Sequence, residues 1–410
     1  MTLPTPSRAL PLLASLLATR ARRRMSAVAG TMILFGMVSA GTDVIFPLWT
    51  TNALGLSPGE WAQLRALRFV GVTVGVIFLG ALSDRFGQRR FGVLAMLGAA
   101  LTLVALGVGG RAALWIGMPI FGAFMSTLFV NVNTLTQEVS TTRQGVANTI
   151  YRALGAAAGI AAPIVVTLLA LRVGGYAPVI CGSALLMIAS ACVLAGYPID
   201  EPIAPLADLR TELARLWAGY RVALEQRALM AFLHLSLLWG NLLVGVGAFA
   251  AIRFTRELGQ SDQQFGLVSS MAGVAALVAT LGVGLVLDRL SLRRLHGTVA
   301  VLASLCAVAI GLTDSLWLTA GLFVVFAALT SMLIGPTSMW VSRAAGAGTQ
   351  IAAFSVHKVL GALYLALALA LAGWLERLVG IRTIFWVGGV ASLVVGGGFF
   401  LLQEPPRRVG

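Results

Sequence analysis

The sequence predicts an all-α polytopic membrane protein, with twelve transmembrane helices arranged as two pseudo-symmetric six-helix bundles. Three observations lead there. Of the 410 residues, 58% are hydrophobic and only 11% charged, and the mean hydropathy is +0.92; a water-soluble chain of this size carries about a quarter charged residues. The apolar residues gather into runs of about 17–25 between short polar turns, the length that crosses a bilayer as a helix. A charged turn after the second run, Gly80-Ala-Leu-Ser-Asp84-Arg85-Phe-Gly87-Gln-Arg89-Arg90, returns after the eighth as Gly284-Leu-Val-Leu-Asp288-Arg289-Leu-Ser-Leu-Arg293-Arg294. Every shared position recurs 204 residues on, the mark of a duplicated half.

The elements follow in order. Residues 1–24 hold a short apolar patch followed by Arg20, Arg22, Arg23 and Arg24. A secretory signal has its charges before the patch, so the reversed order points to a basic cytoplasmic arm. The first bundle, 25–197, has spans near Ala27–Thr51, Trp61–Leu82, Phe91–Val108, Ala112–Gln137, Val146–Leu171 and Ala177–Tyr197. The second, 229–403, has them near Leu229–Ile252, Phe265–Leu287, Gly297–Leu312, Leu316–Val341, Ile351–Leu375 and Thr383–Leu402. Between them, 198–228 opens with Pro198, Pro202 and Pro205, which prevent the sixth helix from continuing. Leu209, Leu213, Leu216, Trp217, Tyr220 and Leu224 then recur at helical spacing, predicting an amphipathic linker helix with its arginines toward water or headgroups. Residues 404–410 form a short tail.

The net charge of +14 is a topological signal. With both termini inside, roughly two thirds of the basic residues fall on the cytoplasmic side, as the positive-inside rule requires. Nucleic acid is therefore not an expected partner. Arg65 and Arg68 count among the basic residues of the outer ends, whereas Arg152 and Lys358 fall within spans. Cys181, Cys192 and Cys306 sit in apolar runs without metal-site spacing, so buried free thiols are expected. There is no phosphate-binding Gly-x-x-x-x-Gly-Lys loop, no HExxH and no nucleophile elbow. Neither an enzyme nor a cofactor or metal site is expected.

The repeat reaches beyond the charged turns. Leu54-Gly55-Leu-Ser57 recurs as Leu258-Gly259-Gln-Ser261 at the same offset, and Tyr151-Arg152-Ala-Leu154-Gly155 recurs as His357-Lys358-Val-Leu360-Gly361 two residues later than that offset. Twelve spans, a long central linker and the Gly-x-x-x-Asp-Arg-x-Gly-x-Arg-Arg loop between spans two and three resemble the Major Facilitator Superfamily over nearly the whole chain. Gln88 departs from the usual basic residue, and Ser291 replaces the second glycine of the later copy. The resemblance implies a central path lined by spans one, four, seven and ten, and spans two, five, eight and eleven between the halves. It also implies transport by alternating access. Gly80, Asp84, Arg85, Gly87, Arg89 and Arg90, with Asp288 and Arg289, would then form the cytoplasmic gate, Asp84 gripping the start of span eleven. The Gly155-Ala-Ala-Ala-Gly159 stretch resembles the glycine-rich segment of superfamily antiporters but lacks its Gly-Pro pair, and the span-four arginine typical of proton-coupled exporters is absent.

Asp43 is the most informative group within the membrane. A charge at such depth costs several kcal/mol unless paired or hydrated. About the turn near Leu56, Asp43 and Arg68 fall at similar depth on antiparallel spans. The two are candidates for proton coupling, against the plainer reading of a static ion pair. Thr127, Asn131, Thr134 and Glu138 share one face of span four, and Ser331, Gly335 and Ser338 lie at matching positions of span ten. With His234, Trp239 and Asn241 of span seven they are candidate cavity residues; interhelical hydrogen bonding is the alternative. Arg152, His357 and Lys358 are candidates for either the gate or an anion site. The residues and the resemblance together point to a proton-coupled exporter of small, partly apolar organic molecules. It would act as a monomer in a plasma or bacterial-type inner membrane, with the proton gradient and the bilayer as its other partners. Two alternatives are import of an anionic metabolite or metal chelate, and a non-transporting membrane scaffold.

Overall fold

The computed structural model describes residues 9–79, 83, 87–139, 144–197, 209–287, 290–345 and 350–405, with the backbone alone over 9–22, 129–134, 136–139, 144–152, 209–213, 215–216, 219 and 350–352. Among the described residues, ten helical segments are long and apolar enough to cross a membrane. Two of them are double. The helix Gln88–Val139 contains a non-helical Gly110 (φ 61°), and Gln350–Gly397 contains a non-helical Gly380 (φ 78°). Gly98 lies against Phe124 and Gly117 against Leu106, so the chain folds back at Gly110. Gly361 faces Leu237 while Gly388 faces Val246 and Gly398 faces Leu235. Span eleven therefore runs parallel to span seven and span twelve antiparallel, with the reversal at Gly380. Only glycine takes this left-handed turn without strain. Dividing both segments gives the twelve crossings of a multi-span helical protein.

The duplication is visible atom by atom. Spans one and seven both end in a π-helical turn, Trp49–Ala53 and Arg253–Glu257. Each is closed by equivalent backbone bonds: Leu54 N to Trp49 O and Leu258 N to Arg253 O, both 3.0 Å. Gly55 (φ 66°) and Gly259 (φ 64°) then turn the chain. The following helices, Pro58–Val74 and Asp262–Val286, each start from a serine capping box: Ser57 with Glu60, Ser261 with Gln264. A capping serine satisfies an amide that the first helical turn leaves unpaired.

Two elements differ from expectation. The basic segment before span one is continuous with it in a single helix, Ala9–Leu48. Span ten is broken at Leu333 into Leu316–Met332 and Ile334–Ala344, because Pro336 has no N–H to carry the helical bond across the break.

Small residues set the packing. Gly36 lies against the Gly155 backbone, Gly41 against Val166 and Gly159 against Ala40, so the glycine-rich stretch of span five is the seam with span one. The two halves meet where the resemblance implied. Gly266 of span eight touches Pro163 and Thr167 of span five, and Gly373 of span eleven touches Gly59 and Ala62 of span two. Within the second half, Phe232 stacks on Trp340 at 4.5 Å, and both contact the fully buried His296. The linker helix, Leu209–Glu225, packs against span eleven, with Tyr220 beside Ser355. Trp217 stands 69% exposed.

Candidate functional site

Span two carries the charged centre. The span Pro58–Leu79 packs on span four through backbone-to-backbone approaches at Gly71 with Pro119, Gly75 with Ala123, and Gly122 with the Arg68 carbonyl. That seam fixes the Arg68 side chain, whose guanidinium lies 5.2 Å over the Phe121 ring. Phe121 is itself buried edge-on against Phe46 of span one at 5.8 Å. Arg68 Nη1 donates to Asp43 Oδ1 at 2.9 Å. The two partners are unequal: the Arg68 side chain is 10% exposed and that of Asp43 46%. Asp43 lies about 15 Å of helix before the end of the π-helical turn at Ala53, deep in the bundle. Its carboxylate is thus reachable while its partner is enclosed.

Arg65 joins this pair, and the sequence reading missed it. Counted there with the outer-end charges, Arg65 lies within the helix one turn before Arg68, near enough to interact electrostatically with both Asp43 and Arg68. Its Nε is buried and has no hydrogen-bond partner. The signal was available: positions i and i+3 share a helix face, so an arginine there follows Arg68 inward. Both arginines lie inside the span Pro58–Leu79, in its outer half.

The other candidates divide. Thr127 is wholly buried and donates to the Ala123 carbonyl at 2.8 Å; it packs the span-four helix and does not line an open cavity here. The Asn131, Thr134 and Glu138 side chains lie outside the described residues. On span ten, Ser338 bonds its own helix at the Ile334 carbonyl, and the Ser331 carbonyl accepts from Thr280. Gly335 is exposed, with Leu287 its nearest neighbour. In span seven, His234 Nδ1 lies 2.7 Å from the Tyr364 hydroxyl, and Asn241 donates to the Gly361 carbonyl at 3.1 Å. These two share a face turned to span eleven. Trp239 does not join them: buried at 5%, it donates to the Ala300 carbonyl and Ser304, away from any open face.

Of the charged turns, Gly80, Asp84, Arg85, Asp288 and Arg289 lie outside the described residues. Gly87 takes a left-handed φ of 89°, Arg90 is exposed, and Arg89 caps span six by donating to the Ala195 carbonyl. The Arg152 side chain also lies outside; His357 is half-buried and Lys358 exposed. At the end of the bundle opposite the termini, contacts cross between the halves. Arg256 donates to the Thr51 carbonyl, Asn52 to Asp262 at 3.1 Å, and the Trp61 indole to the Ala248 carbonyl at 3.3 Å. Nearby, Arg253 is 1% exposed and donates to Glu257 and to the Thr313 carbonyl. Among the described residues no group of three or more His, Cys, Asp or Glu is placed to hold a metal ion.

Comparison with known proteins now has a geometry to meet. The chain is similar over 91% of its length to a POT family transporter solved with 5-aminolevulinic acid, at 13% identity and a TM-score of 0.76, covering 94% of that chain. A mutant form of the nucleoside transporter NupG matches over 92% of this chain and 99% of its own, at 13% identity and TM-score 0.75. The human organic anion transporter MFSD10 matches over 93% and 99%, at 17% identity and TM-score 0.62. At such identities the likeness establishes the fold. No curated protein sequence matches. The family model for the Major Facilitator Superfamily matches residues 28–255 and again 244–410, which together take in nearly the whole chain. The chain therefore belongs to the Major Facilitator Superfamily, a family of secondary transporters and not of enzymes.

Proposed function

We propose that this transporter is proton-linked and works by alternating access to export small, partly apolar organic molecules, with Asp43 as the group that takes up and releases the proton. One observation carries the reading. Asp43 is deep in the bundle yet its side chain is 46% exposed, and its hydrogen-bonded partner, Arg68, is enclosed. Protonation removes the carboxylate's charge and leaves a buried guanidinium without its counter-ion, an expensive state. A site with that property favours one of two occupied forms: deprotonated and paired, or protonated with the guanidinium engaged by something else. With the basic residues gathered at the end bearing the termini, that end is taken as cytoplasmic. The contacts of Arg256, Asn52 and Trp61 are then an outer latch. The test is proton flux in reconstituted vesicles screened against anionic, cationic and metal-chelate compounds. Asp43→Asn is expected to abolish gradient-driven flux while the protein remains folded; wild-type accumulation by that variant would refute the proposal.

Import of an organic anion is the second reading, and Arg65 favours it. Together Asp43, Arg65 and Arg68 carry one net positive charge, and the source of that charge is on span two.

A further inference from the structure

Arg65 presents a guanidinium to which no described residue offers a hydrogen bond. Its Nε is buried without a partner while the residue as a whole is half-buried. A guanidinium at membrane depth costs several kcal/mol unless it is paired or hydrated. The field of Asp43 reaches it, but no nearby acid among the described residues hydrogen-bonds it. Asp43 is held by Arg68, and Glu60 accepts from the Ser57 amide and is paired with Arg111.

The side chain does not escape to lipid. Val70 and Val74, 43% and 46% exposed, mark the outward face of span two. At 100° per residue, Arg65 stands about 140° and about 180° around the helix from them. Gly59 and Ala62 face span eleven, and Gly71 and Gly75 face span four. Arg65 and Arg68 therefore occupy the remaining sector, which looks toward span one and the space between the halves.

We propose that Arg65 and Arg68 form a binding locus for a single carboxylate of a small organic acid, with Asp43 as the internal counter-ion that the bound carboxylate displaces from Arg68. The inference rests on the reading of this cluster as the transport site and names its substrate class. A guanidinium offers parallel N–H donors that match a planar carboxylate. One anionic charge neutralises the cluster; two would exceed it. The carboxylate takes the free donors of Arg65 first. As it draws Arg68 away, the Asp43 carboxylate loses its partner and becomes the stronger proton acceptor of the site. Anion and proton thereby occupy the cluster together, one for one.

Equilibrium binding without any gradient tests this separately from proton-driven flux. Benzoate is titrated into the full-length protein in lipid nanodiscs, with benzamide as its uncharged analogue, and binding is read by calorimetry and by the shift in unfolding temperature. Saturable benzoate binding with no response to benzamide is expected. Arg65→Gln should weaken benzoate binding by about tenfold or more, the value of a charged hydrogen-bond pair, and Arg65→Lys should fall between. Without benzoate, Arg65→Gln should unfold at a higher temperature than the wild type, because a guanidinium that no described residue hydrogen-bonds has been removed. Asp43→Asn should tighten benzoate binding by freeing Arg68. The proposal is overturned by equal responses to benzoate and benzamide, by no saturable benzoate binding, or by wild-type affinity in Arg65→Gln. A lower unfolding temperature for Arg65→Gln would make Arg65 a structural cation and overturn it as well. If Asp43→Asn stops flux but benzoate does not bind, the proton reading survives and this one fails.

Discussion

Gly373→Ala should push the latched end of the transporter open. A Cβ on Gly373 would stand 2.8 Å from the Ala62 Cβ and 2.8 Å from the Gly59 carbonyl oxygen. Ordinary contact begins near 3.4 Å, so span eleven must retreat from span two by roughly 0.6 Å or more, and overpacking of this kind costs about 1–3 kcal/mol. The helix-propensity gain of alanine, about 1 kcal/mol, applies whichever way the halves are tilted and cancels between conformations. The clash applies only where the halves are in contact. The ratio of unlatched to latched protein should therefore rise about 5- to 150-fold. Spin labels at Val173 and Leu378, exposed at the same end on spans five and eleven, report the separation once the free cysteines Cys181, Cys192 and Cys306 are replaced by serine. Gly182→Ala is the control, since a Cβ there meets nothing within 4 Å. An unchanged distance distribution in Gly373→Ala, with an unfolding temperature equal to the control's, would refute the reasoning.

Two further outcomes follow from the same end of the molecule. Arg253→Met removes a wholly buried cation that holds Glu257 and the Thr313 carbonyl; Glu257 is part-exposed, so the expected loss is about 2–3 kcal/mol rather than the full cost of a stranded buried charge, read as a lowered unfolding temperature. Ser57→Ala and Ser261→Ala each remove a capping box and should each cost about 1 kcal/mol. Lying in different halves without shared partners, the two losses should add in the double variant; a marked departure from additivity would show that the caps act through the interface.

Much of the fold was legible because its determinants are local. Apolar run length gave the spans, and the 204-residue offset gave two halves that share π turns, positive-φ glycines and capping boxes. The pairing of Asp43 with Arg68 followed from counting residues on either side of one turn. What the sequence concealed depends on rotation about helix axes. Trp239 and Thr127 have cavity-compatible chemistry, yet each is turned into packing. Arg65 was counted only as an outer-end charge of span two, and its shared helix face with Arg68 was not followed. The break in span ten was signalled only by Pro336 within an otherwise continuous apolar run. Contacts between the halves, such as Arg256 with Thr51, join residues far apart in sequence and leave no local pattern.

The scaffold is symmetric and the charged site is not, and the difference constrains how coupling can work. The positions equivalent to Asp43, Arg65 and Arg68 are Gly247, Ser269 and Ala272, so the second half holds no copy of the cluster. All three charged groups lie on spans one and two; glycine contacts hold span two against span four and span one against span five, and allow little relative movement. A rocking motion of one half against the other does not tear this ion pair apart. The contacts that such a motion breaks are the crossing ones: Arg256 with Thr51, Asn52 with Asp262, Gly373 with Gly59. On the proposed coupling, proton and substrate therefore exchange partners within a fixed cluster, and gating falls to which end of the second half is latched over it. Occupancy biases the motion only through groups the second half presents to the cluster, and that is where the residues that read it are to be sought.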